Sequence, residues 1–185
     1  IVKADDIKDF EIEGISIGDS LLSHANTIGV SENYILDKKF SFYEGSKRLA
    51  LLAFSDRGNF ITYYKIQVTV NPKNYKIHRI GGFLEISNEK DCLDKQKKII
   101  NDLENSFTSF KKIIDDKFST HPADKSGNSV ANGIYLDLSS GDSAMVECYI
   151  WSDEYRQTHG GHEDNLRVTI SNKNANDFIQ NEAYK

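Results

Sequence analysis

From Asn88 to about Phe118 the apolar residues Cys92, Leu93, Ile99, Ile100, Leu103, Phe107, Phe110, Ile113 and Ile114 recur at three-to-four spacing. That period predicts one long amphipathic helix, with lysines and acids on its other side. Asn88 is placed to cap it, with Asp91 at the third helical position. A helix with one apolar face must bury that face against a second layer, and the flanking segments supply it.

Before the helix, Phe40 and Phe42 alternate and Leu49 to Phe54 is apolar. The turn cluster Ser55 to Asn59 follows, then Phe60 to Val70, the turn Asn71 to Asn74, and Tyr75 to Ser87. Gly81 and Gly82 inside that last run predict a bulge or bend. After the helix, Gly133–Leu138, Ser143–Trp151 and Leu166–Ile170 read as three more strands around the turn Ser139 to Asp142. Ser16 with Asp19 marks a short helix over about 17–25, and 173–183 reads as a last helix. The expectation is an α+β fold in one domain over residues 5–185. Its mostly antiparallel sheet has about six strands in two three-stranded meanders. The long helix packs across it, helices lie on one face, and short helices stand near both termini. The two halves share this order, which re-used turn chemistry explains more simply than a duplication.

Ala144, Val146, Cys148 and Ile150 alternate onto one strand face, while Cys92 opens the helix expected above them. Two core-facing cysteines on packing partners predict a Cys92–Cys148 disulfide, which belongs to an oxidising compartment. Two buried free thiols are the other reading. Val2 and Ala4 ahead of Asp5 and Asp6 are spaced like the end of a signal peptide, so residues 1–4 read as its remnant. Both features point to a periplasmic or secreted protein. The net charge of −5 is interspersed, with no basic stripe for nucleic acid, and no apolar run is long enough to span a bilayer.

Three groups of residues could carry chemistry. His159, His162, Glu163 and Asp164 put two imidazoles and two carboxylates into six residues, a set able to hold a divalent metal, with His121 as a further ligand. A solvated polar loop explains the same residues. Gly18-Asp19-Ser20-Leu21 invites comparison with GDSL esterases, whose serine is the nucleophile. However, no buried strand precedes it and no aspartate stands three residues ahead of a late histidine. Tyr149, Trp151 and Tyr155 fall on the outward register of a strand or just beyond it. Trp151, the only tryptophan, and Tyr155 are the candidate binding contacts.

The run Asp9-Phe10-Glu11-Ile12-Glu13-Gly14-Ile15-Ser16-Ile17-Gly18-Asp19-Ser20-Leu21-Leu22 resembles an uncharacterised family of small exported bacterial proteins. The likeness continues at His121 to Gly127, Cys148-Tyr149, Asp164 to Val168 and Ala183-Tyr184. It implies export and brings no activity with it. Gly14 to Asp19 also looks like the helix entrance of outer-membrane assembly lipoproteins of the BamE type, although no cysteine for lipidation stands near the start. The functional expectation is an exported, non-catalytic module binding a protein or envelope ligand. The alternatives are a metal-dependent or esterase-like hydrolase using residues 159–164 or Ser20, and a structural subunit of a surface assembly.

Overall fold

The computed structural model describes residues 6–55, 59–115, 117–160 and 162–185. The expected signal remnant at 1–4 and the centre of the Ser55 to Asn59 turn lie outside these. The chain opens with a two-stranded ribbon, β1 (Glu11–Ile12) and β2 (Ile15–Ser16), then α1 (Ala25–Ile28) and α2 (Glu32–Asp37). Four strands follow: β3 (Ser41–Phe42), β4 (Ala50–Ser55), β5 (Lys65–Val70) and β6 (Ile77–Glu85). Next come α3 (Glu89–Ser106), β7 (Phe110–Ile114), β8 (Ser119–Thr120), β9 (Val130–Leu138) and β10 (Ser143–Ile150). The chain ends with α4 (Asp153–His159), β11 (Asn165–Ser171) and α5 (Lys173–Asn181).

This is the expected α+β architecture with a larger sheet. Among the described residues nine strands form one antiparallel sheet, ordered β3-β4-β5-β6-β11-β10-β9-β7, with β8 also on β9. The added strands are short edge pieces. No helix of the described residues is long and apolar enough to cross a membrane.

Alternation along the strands gives the sheet two unlike faces. Leu52 and Phe54 of β4, Ile66 and Val68 of β5, Ile80 of β6, Leu166, Val168 and Ile170 of β11, and Ala144, Val146 and Cys148 of β10 form a dry face. The helix α3 covers it with Cys92 and Ile100, joined by Ile7, Ile12, Ile15, Ile17, Leu21 and Ile28 of the N-terminal segment. The two cysteine sulfurs stand at bonding distance, 2.11 Å, with their Cα atoms 5.9 Å apart. The α3 residue Gln96 is also buried, and its amide donates to the Val146 and Asn132 carbonyls, so its polar end is satisfied.

Several expectations are corrected. The long helix stops at Ser106, because Ser106, Thr108 and Ser109 favour non-helical backbone and Phe110 to Ile114 find a ladder on β9. Strand β5 begins at Lys65, since the backbone N–H groups of Ile61, Thr62 and Tyr63 are all taken by the Glu13 carboxylate at 2.9, 2.6 and 3.0 Å. Ser16 lies in β2, and after a 3-10 turn at Ile7–Asp9 the next helical turns begin only at Leu21. Helices cover both faces, for Ile179 of α5 packs on the face opposite α3. The halves therefore differ in the arrangement of their helices, and α4 interrupts the second strand group between β10 and β11.

Gly81 and Gly82 introduce no bulge; the register shift falls between Thr69 and Val70. The glycines serve close approach. A Cβ on Gly82 would meet the Tyr63 ring at 2.6 Å, and one on Gly81 would stand 3.3 Å from Thr169 Oγ1.

Candidate functional site

The second face is polar. Lys65 and Gln67 of β5, Arg79, Gly81 and Phe83 of β6, Arg167 and Thr169 of β11, and Glu147 and Tyr149 of β10 alternate with the dry-face residues, so they share one surface. The α5 helix, Tyr43 and Tyr184 close one end of it. What remains is a trough of two adjoining cavities, about 390 and 520 Å³, that share Gln67, Arg167 and Tyr184.

Arg167 is the hub. Its guanidinium donates to Glu147 Oε2 at 2.6 and 3.2 Å and to the Tyr149 hydroxyl, and its plane lies 4.7 Å from the centre of the Tyr149 ring. Burial opposes its charge, but Glu147 and Tyr149 outweigh burial and hold the guanidinium more firmly protonated than usual. Burial and Glu147 keep the Tyr149 hydroxyl neutral well past its ordinary range, although Arg167 pulls the other way. Tyr135 on β9 is pushed up to about 12 by burial, then by Glu147 and Asp115. Lys65, over the Phe83 ring at 4.8 Å, is pulled down by burial and by Arg167.

At the far end stands a ladder of rings. Tyr149 and Trp151 are nearly parallel with centroids 5.9 Å apart, Trp151 and Tyr155 are 4.9 Å apart at 16°, and Tyr155 and His159 are 4.1 Å apart at 14°. His121 and His162 tilt against Trp151 at 4.6 and 4.7 Å. Each such pair contributes roughly 0.5–1.5 kcal/mol beyond its burial. Rings that stack on one another spend their faces internally. Tyr155 is buried and Trp151 half-buried, and both line the cavity. Burial lowers the pKa of both His121 and His162, helped by Arg167 for the first and by His159 and Lys65 for the second. Their imidazoles are thus neutral near pH 7.

The polar stretch leading into residues 159–164 is helical, because Ser152 caps α4 by accepting from the Tyr155 N–H at 3.2 Å. This separates the four suggested metal ligands. His159 is stacked on Tyr155 with Nδ1 2.8 Å from Thr158 Oγ1, and His162 faces Trp151. Asp164 accepts from the Trp151 N–H at 2.7 Å and from Arg156 at 2.6 Å, so it positions the tryptophan. Glu163 is exposed at the cavity mouth. Gly161 between them lies outside the described residues. Among the described residues no three His, Cys, Asp or Glu side chains come together as a metal-holding group.

Ser20 forms an antiparallel bridge with Lys76. The nearby imidazole of His24 is 3.0 Å from Asp19 Oδ2, and among the described residues no imidazole hydrogen-bonds the Ser20 hydroxyl. Among the described residues the likeness to an esterase nucleophile therefore extends no further than the four residues Gly18-Asp19-Ser20-Leu21 of the sequence.

Of the site residues expected from sequence, Trp151, Tyr155, His159, His162 and His121 come together, as one aromatic cluster. Arg79, Arg167, Lys65 and Glu147 are the residues that reading passed over. Their signal was present as charges at alternating strand positions, a pattern shared by any solvent-facing strand. The chain matches no protein-family model, no curated protein and no solved structure.

Proposed function

We propose that this chain is an exported, non-catalytic binding module that takes its ligand in the trough of the polar sheet face. The observation that carries the reading is the trough itself. It is a concave surface on rigid strands, walled by rings at one end and cationic along its floor, in a chain of net charge −5. The side chains it gathers are suited to recognition. Among the described residues lining it, no nucleophile stands beside a base able to activate it, which favours binding over turnover. Export is supported by the cysteine pair, which needs an oxidising compartment to form.

Trp151 is the only tryptophan and lines the trough, so its emission reports occupancy directly. Titration with the low-molecular-weight fraction of a bacterial envelope extract should change that emission saturably while mass spectrometry finds the added compounds unconsumed. A flat titration would defeat the binding reading, and conversion of a compound would defeat the non-catalytic one.

A further inference from the structure

We propose that the trough selects a small molecule carrying a carboxylate or phosphate, with the oxyanion seated between Arg79 and Arg167 over Gly81. This rests on the binding reading above and names the ligand chemistry.

Arg79 carries the argument. It is half-buried, and the hydrogen bond described for it goes to Met145 Sδ at 3.6 Å, a weak acceptor. Among the described residues no carboxylate forms an ion pair with it, because Glu147, the acid of this face, is already held by Arg167. A guanidinium has five N–H donors in a planar fork that matches a carboxylate or a phosphate with two parallel bonds. Arg79 lines a cavity of about 390 Å³ whose other cation is Arg167. Two like charges sharing one cavity are stabilised by an anion between them.

Two independent observations mark the same spot. Thr169 is only 1% exposed, lines this cavity, and has a hydroxyl oxygen without a hydrogen-bond partner. A buried hydroxyl left unsatisfied is costly, and a bound oxyanion would accept its proton. Gly81 makes the room: a Cβ there would intrude to 3.3 Å from Thr169 Oγ1 and 3.8 Å from Arg167 Cδ. The adjoining cavity, with Phe83 and Trp151, suits an apolar ring attached to the anion.

The test titrates the intact chain with benzoate, phenyl phosphate, acetate and inorganic phosphate at constant ionic strength, with chloride as control, following Trp151 emission and melting temperature. The expected result is saturable binding by one or both ring-bearing anions, each at least about tenfold tighter than its ringless counterpart. The benzoate and phenyl phosphate arms decide between carboxylate and phosphate. Arg79→Gln should weaken binding about tenfold or more. Gly81→Ala, which keeps both arginines, should weaken it as well, and tests the site should R79Q not fold. Absence of saturable binding in all four arms overturns the proposal, as does binding that a folded R79Q or G81A leaves unchanged. In either case a saturable response to the envelope fraction would still leave the broader binding reading standing, so the two failures are distinguishable.

Discussion

Asp124 shows how much placement one carboxylate can do. It is buried and accepts from the Ser126 N–H and hydroxyl, from the Ser129 N–H and hydroxyl, and from the Ser152 hydroxyl, at 2.5 to 2.9 Å. It thereby ties the loop carrying His121 to the residue that caps α4, beside Trp151. The serine hydroxyls of 129 and 126 hold its carboxyl far below the usual range, against the opposing effect of burial. A depressed carboxylate stabilises the fold above its unfolded pKa of about 3.8, and that contribution disappears as pH falls through the lower folded value. Asp124→Asn should therefore melt below wild type at pH 7, with the gap closing progressively below pH 3.8 in a pH series of thermal melts. At this scale the sequence was partly legible. The cysteine pair could be read because both residues fell on apolar faces of elements that had to pack. Arg79 and Arg167 could not, since an alternating charge looks the same whether its face meets open water or a half-covered trough. The contacts of Asp164 were illegible too, because a carboxylate near two histidines does not reveal that an arginine and a backbone N–H already bond to it.

The element best read from sequence is the start of α3. The Asn88 side chain accepts from the Asp91 N–H at 3.0 Å, and Asp91 reaches back to the Ser87 N–H at 2.9 Å. Asn88 is exposed, so its substitution perturbs little else. Asn88→Ala should cost about 1 kcal/mol in denaturant melts, or roughly 2–4 °C in melting temperature for a chain of this size. The far end of α3 was illegible because the apolar spacing of Phe110, Ile113 and Ile114 suits a helix as well as a five-residue strand. A free ladder on β9 decided between them, and no local pattern encodes that. The disulfide also belongs to this scale, since it joins α3 to β10 across 56 residues of sequence. In the chain-entropy picture, closing such a loop stabilises the fold by roughly 4 kcal/mol. Replacing both cysteines by serine should lower the midpoint of chemical unfolding accordingly, while a thiol-labelling reagent should leave the unfolded, unreduced wild type unmodified.

For the whole molecule, the unequal faces of the sheet set the response to pH. His78, His121 and His162 are each pulled below the ordinary histidine value of 6.5, chiefly by burial. The unfolded chain therefore binds more protons as pH drops below 6.5, and stability falls with it. The carboxylates of Asp124 and Glu13, the latter held down by three backbone N–H groups against burial, add a second loss below about pH 4. On the alkaline side, Tyr63 and Tyr135 are raised to about 12 by burial first. Their contribution is complete below pH 10 and is lost as pH rises through the folded values. Lys65 works in the opposite sense but is outnumbered. Melting temperature against pH should thus show a plateau between about 6.5 and 10, a two-step acid limb and a single alkaline limb. A profile with its maximum near the isoelectric point of 5.5 would contradict this assignment.

Cys148 sits between Glu147 and Tyr149, which point to the opposite side of the same strand. The sulfur bridge behind the sheet thus indexes the two side chains that grip Arg167 in front of it. Because β10 is also paired along both edges, equal ligand affinity with and without reductant would show that its ladders alone hold Glu147 and Tyr149 in place, and a weaker affinity after reduction would show that the bridge shares that task.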